Sequence, residues 1–127
     1  REVLVRATLE SLAYQTRDVV EAMQRDSGLR LSRLQVDGGA AQNNWLMQFQ
    51  ADLLGIDVVR PPLIAATAKG AALLAGIGIG WWRPTQLSQF MGKPDRVFHP
   101  RMKPIERRRL YDGWREAVDR VRTRHSR

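Results

Sequence analysis

At 127 residues the chain amounts to one domain or a piece of one, long enough to bury a single core. It contains no cysteine, which excludes disulfides and thiolate metal sites and is compatible with a reducing, cytoplasmic setting. Mean hydropathy is −0.39 and no apolar run approaches the ~20 residues of a membrane span, while a net charge of +8 raises a polyanion as a partner.

The first predicted element is a helix, because Val5, Leu9, Leu12, Ala13, Val19, Val20 and Met23 recur at helical spacing. Ser27-Gly28 closes it. The helical pattern starts at Arg1, with neither methionine nor the apolar stretch of a signal peptide before it, so a piece of a longer protein is expected. Leu34 to Val36 reads as a short buried strand, followed by a helix from about Asn43 to Leu54 with Trp45, Leu46, Phe49, Leu53 and Leu54 inward. Ile56 to Val59 is a second strand, which Arg60-Pro61-Pro62 must end, since proline cannot continue a central strand.

A third helix, Ala65 to about Ile77, is built of alanine and glycine, small enough to approach a sheet or helix closely. Gly76, Gly78 and Gly80 are expected to break it ahead of Trp81-Trp82. Residues 83–104 contain four prolines and read as an irregular surface arm. The last helix runs from about Ile105 to Val121, with Leu110, Trp114, Val118 and Val121 on one face. Much of the positive charge lies there, in Arg107 to Arg109 and from Arg115 onward, interleaved with Asp112, Glu116 and Asp119. A mixed-sign face of that kind reads as solvated surface, and no nucleic-acid recognition motif accompanies it. The order of elements is that of an α/β protein. Two strands make a poor sheet, so further strands are expected upstream.

The segment Val36-Asp37-Gly38-Gly39-Ala40 lies at the carboxyl end of a strand, where ligands collect in open α/β sheets. Two glycines allow a sharp turn and let a ring or a phosphate approach the main chain, and a helix is expected to begin at once, its positive end facing the same spot. Asn43 or Asn44 can cap that helix or offer donor and acceptor groups to a base edge. The layout fits a nucleotide site, and it also fits a tight strand-to-helix turn with an asparagine cap and no ligand. Neither the Gly-x-Gly-x-x-Gly fingerprint nor a P-loop is present. Gly76-Ile77-Gly78-Ile79-Gly80 follows a helix and reads as a stop and a bend.

Several stretches, in order and spanning nearly the whole chain, carry a resemblance: Arg6 to Arg17, Val36 to Ala40 with Asn43-Asn44, Leu46-Met47-Gln48-Phe49-Gln50, Thr67 to Ala72 with Leu74-Ala75-Gly76, and Tyr111-Asp112-Gly113-Trp114. Together they resemble the C-terminal domain of the glycerol kinases, within the wider family of sugar and polyol kinases. The resemblance implies an α/β fold that is part of an actin-like, ribonuclease-H-like ATPase domain. Residues 1–127 would be the C-terminal portion of the second such domain, with ATP or ADP and glycerol bound between two domains. It implies that Gly39 lies against the adenosine portion, that Asn43 contacts the adenine, and that Gly38 and Ala40 shape that wall. These are binding roles, and no catalytic residue is expected among the 127.

Phosphoryl transfer needs a carboxylate base, phosphate-holding groups and Mg²⁺ ligands. The resemblance places these, and the glycerol contacts, upstream in a missing N-terminal domain and the start of the second domain. The chain alone is therefore expected to be inactive, and its full enzyme a homo-oligomer. Asp37, the one acid at the turn, reads as a turn former rather than a base. The chain departs from the family pattern at Val3, where relatives often place a polar residue, at Ala65 in place of a glutamate, and at Lys69 in place of an apolar residue. His99 and His125 have no acidic cluster beside them, and simple exposure is expected of both. Glu10 is expected to make a surface or interdomain contact. Trp81, Trp82 and Trp114 could stack on bases, but are expected to anchor the arm and last helix to the core. A related pentulose or polyol kinase, and a basic non-catalytic binding module, remain the alternative readings.

Overall fold

A computed structural model describes residues 1–62, 66–90 and 92–122. The first helix, α1, spans Glu2–Ser27, and Gly28 caps it, its N–H donating to the Gln24 carbonyl. Strand β1 is Arg33–Gln35, one residue earlier than its apolar run suggests, although Val36 N–H still donates to the Val59 carbonyl at 3.0 Å. Helix α2 spans Asn44–Leu54 and strand β2 Asp57–Arg60, followed directly by the two prolines. Helix α3 is Ala66–Gly78, strand β3 Arg96–Phe98 and helix α4 Pro104–Val121.

The two-strand expectation is corrected by β3, which forms inside the arm read as irregular. Its three residues pair antiparallel with β2, Val58 opposite Phe98 and Arg60 opposite Arg96, while β1 pairs parallel on the other side. The cause is tertiary. Arg96-Val97-Phe98 is too short to show a period of two, but the free edge of β2 supplies a ladder, and the Phe98 side chain is buried. A 3₁₀ segment, Pro84–Phe90, takes up more of the same arm.

The core lies around α2, which packs on the sheet with one side and against α1 and α4 with others. Ala13, Ala51, Leu53 and Val58 are fully excluded from solvent, and Leu46, Met47, Phe98 and Tyr111 are nearly so, whereas Trp45, expected inward, is 44% exposed and lies over the Phe49 ring. Tyr14 of α1 stacks on Trp114 of α4 at 5.3 Å and meets Phe49 of α2 edge-on at 5.8 Å. Asp18 fastens α4 to α1 by accepting from the Tyr111 hydroxyl at 2.5 Å and from Trp114 Nε1 at 2.8 Å. Arg17 lies 3.7 Å over the Tyr111 ring and donates to the Leu53 carbonyl, adding α2 to the joint. Burial, and then the carboxylates of Asp18 and Glu21, hold the Tyr111 hydroxyl well above the usual tyrosine range.

Three other expectations need adjustment. Gly76 does not break α3; it sits buried within it, and Trp82 packs where its side chain would be, with Trp82 Nε1 donating to the Leu73 carbonyl at 2.8 Å. The small residues of α3 therefore admit an indole rather than the sheet, and much of the helix, Ala71, Ala72, Leu74 and Ala75 included, is exposed. Trp82 and Trp114 anchor their segments as expected, but Trp81 is 74% exposed. Glu10 forms an i,i+4 pair with Arg6 on the helix surface, and exposed His99 shares a 2.8 Å contact with Asp57. Ala65 and His125 lie outside the described residues.

Candidate nucleotide turn

The site is assembled from the end of β1, the turn after it and the start of α2. Gly38 has φ 86° and ψ 177°, a conformation open to glycine and costly for residues with a Cβ. The chain then enters a short 3₁₀ segment, Gly39–Gln42, so α2 does not begin at once as the glycine pair suggests. Ala41 N–H donates to the Gly38 carbonyl and Asn43 N–H to the Ala40 carbonyl, each at 3.1 Å. This detour lets buried Ala41 act as a peg while Gly39, Ala40 and Asn43 stay at the surface. A Cβ built on Gly38 or Gly39 would meet no atom of the described residues within 4 Å. The space in front of both is open to a ligand.

The two asparagines, equivalent by sequence, have different tasks. Asn43 caps α2, its Oδ1 accepting from Leu46 N–H at 3.1 Å. With the oxygen engaged, the NH₂ is the part of the side chain suited to an acceptor on a base. Asn44 Oδ1 instead accepts from Arg60 Nη1 at 2.9 Å. Asp37 is exposed at the outer end of the turn. Among the described residues no group of three or more histidines, cysteines and carboxylates is placed to hold a metal.

Arg60 was not among the residues singled out from the sequence. Its side chain is 13% exposed, and it joins four segments. Nη1 donates to the Ala41 carbonyl at 3.0 Å as well as to Asn44, while Nε and Nη2 meet Asp95 Oδ2 at 2.8 and 2.7 Å. The sequence signal was faint: one arginine between a buried Val58-Val59 pair and a Pro-Pro stop. Behind the turn, α1, β1 and α2 enclose an open cleft of about 580 Å³, lined by apolar groups such as Leu12, Val20, Leu34 and Val36, with Asp37 and Ala40 at its border. Among the described residues no basic side chain lines it.

Residues 1–79, which contain the turn, α2 and β2, match the model of the FGGY family of carbohydrate kinases, C-terminal domain. The chain belongs to that family. Among curated relatives, the glycerol kinase of Caldanaerobacter subterraneus subsp. tengcongensis is 56% identical over 121 residues, covering 95% of this chain and 24% of that protein. The glycerol kinase of Halorhodospira halophila is 58% identical over 120 residues, with 94% and 24% covered. Of solved structures, Plasmodium falciparum glycerol kinase with ADP superposes with TM-score 0.81 at 31% identity, over 94% of this chain and 24% of that one. Gluconate kinase from Lactobacillus acidophilus gives TM-score 0.75 at 16% identity, over 93% of this chain and 24% of that one, a likeness of fold alone. The FGGY chain thus has the fold class expected of it, α/β and part of an actin-like ATPase domain. It spans about a quarter of the length of the relatives it matches.

Proposed function

We propose that this FGGY chain is the adenosine-binding, C-terminal part of an ATP-dependent glycerol kinase, whose whole enzyme converts ATP and glycerol to ADP and glycerol 3-phosphate. The observation that carries the reading is the turn itself: Gly38 in a glycine-only conformation, open space before Gly38 and Gly39, and a capped helix after the short 3₁₀ segment. In this reading the Gly39 main chain lies against the adenosine, the Asn43 NH₂ donates to an acceptor on the adenine, and Gly38 and Ala40 complete the wall. The resemblance of these residues to the glycerol kinase pattern supports those roles, as does the 52–58% identity to relatives named glycerol kinase.

Residues 1–127 then form the C-terminal portion of the second actin-like domain. The carboxylate base, the Mg²⁺ ligands and the glycerol contacts belong to an N-terminal domain and to the start of the second one. The complete enzyme is a cytoplasmic homo-oligomer. With half the cleft elsewhere, the 127-residue chain binds ATP or ADP weakly, at roughly millimolar concentration or above, equivalent to about 4 kcal/mol or less. It also leaves glycerol unphosphorylated.

Photolabelling with an azido-adenine ADP analogue tests the assignment. The label is expected on the peptide containing Gly38 to Leu46, and excess ADP should compete it away. Labelling confined to the arginine-rich face of α4, or insensitive to ADP, would overturn the reading in favour of a basic binding module. The same chain incubated with ATP and glycerol is expected to make no glycerol 3-phosphate.

A further inference from the structure

The wall proposed for adenosine is not held by its own hydrogen bonds alone. Its 3₁₀ segment is four residues long, and backbone bonds from Ala41 and Asn43 are its internal ties. Among the described residues, Arg60 at the end of the central strand ties it to the sheet through a side chain, and Arg60 is in turn fixed by Asp95 from the arm just before β3.

We infer that Arg60, oriented by Asp95, is a positioning residue for the nucleotide: it sets the height and tilt of the Gly38–Asn43 turn. This rests on the adenosine reading of that turn. The chemistry of the guanidinium is what suits it to the task. One edge of the planar fork meets the Asp95 carboxylate, while Nη1 spans the Ala41 carbonyl and the Asn44 amide oxygen. A lysine ammonium is a single centre and cannot reach both sides of that junction at once. The arm contributes further, since Asp95 N–H donates to the Arg60 carbonyl at 2.9 Å, so main chain and side chain of the same pair interlock. The bond to the Ala41 carbonyl is the part-buried one of the set, and leaving that carbonyl without its donor is costly. The arm thus acts on a nucleotide turn that lies more than fifty residues before it in the chain.

The test uses the 127-residue chain and three variants: Arg60→Lys, Asp95→Asn, and Arg17→Lys as a control at the α1–α4 joint, away from the turn. Two readouts are taken, amide hydrogen exchange and the ADP-induced shifts of backbone amides. Arg60→Lys should lower protection of the Ala41 and Asn43 amides about tenfold and weaken ADP binding about tenfold, while the Ala51 amide in the core exchanges as before. Asp95→Asn, which keeps Arg60 and its bonds to Ala41 and Asn44, should show a smaller change of the same kind. Arg17→Lys should leave ADP affinity unchanged. Unaltered turn protection and ADP affinity in Arg60→Lys would overturn the inference. So would an equal loss of protection at Ala41 and Ala51, or an equal loss of affinity in Arg17→Lys, since either marks a general loss of stability. If the parent chain shows no ADP shifts at residues 38–43, the adenosine reading fails, and the exchange data alone decide whether Arg60 sets the turn.

Discussion

Adding one methyl group at Gly38 or at Gly39 separates what the fold needs from what a ligand needs. Neither new Cβ meets an atom of the described residues within 4 Å, so neither substitution overpacks them. The backbones differ, however. Gly38 sits at φ 86° and ψ 177°, and forcing alanine into that region costs about 1–3 kcal/mol. Gly39 lies outside the left-handed region, so alanine there carries no such strain and narrows the unfolded ensemble, which stabilises by about 0.4–1 kcal/mol. Gly38→Ala should therefore lower the urea midpoint and Gly39→Ala should hold or raise it. Nucleotide affinity should respond in a different order. A methyl on Gly39 occupies the space assigned to adenosine, and about a tenfold loss of ADP affinity, near 1.4 kcal/mol, is expected without loss of stability. The assay pairs urea unfolding with an ADP titration of ¹⁵N-labelled protein. A Gly39→Ala chain that is as stable as the parent and binds ADP equally well would refute the idea that the open space at Gly39 receives the nucleotide.

Other consequences follow from the packing. Gly76→Ala places a Cβ 2.0 Å from Trp82 Cζ2, so the indole must leave α3; a red-shifted tryptophan emission and a loss of about 1–3 kcal/mol in urea unfolding are expected. Leu53 is completely buried, and Leu53→Ala should cost about 2–5 kcal/mol by the same measurement. The Tyr111 hydroxyl is raised in the folded state by burial and by its carboxylate partners. Its contribution is therefore present below the unfolded tyrosine value of about 10 and is lost as pH rises beyond it. Melting temperature should fall between about pH 10 and 11.5, and the fall should be shallower in Tyr111→Phe.

Sequence and structure agree where the cause is local. The spacing of Leu9, Ala13 and Val20, an asparagine cap at Asn43 or Asn44 and the Pro61-Pro62 stop each act within a few residues, so α1, an asparagine-capped α2 and the end of β2 were legible. The Gly38 turn was legible for the same reason, because its conformation selects glycine. Features made by distant partners were not. Strand β3 exists because Val97 and Phe98 find β2 some forty residues earlier, and Gly76 reads as a breaker until Trp82 is seen lying on it. Arg60 illustrates the limit for the site, since its partners Ala41, Asn44 and Asp95 lie 19, 16 and 35 residues away. The separate duties of Asn43 and Asn44 emerge from that same junction.

The central claim, that the turn holds the adenosine end of ATP while the reacting end is held elsewhere, is tested most directly by comparing adenosine with pyrophosphate as ligands of the ¹⁵N-labelled chain. Adenosine and ADP are expected to shift the same amides, at Gly38, Gly39, Ala40 and Asn43, while pyrophosphate leaves them in place. Pyrophosphate reproducing the ADP shifts at the turn, with adenosine silent, would contradict the account.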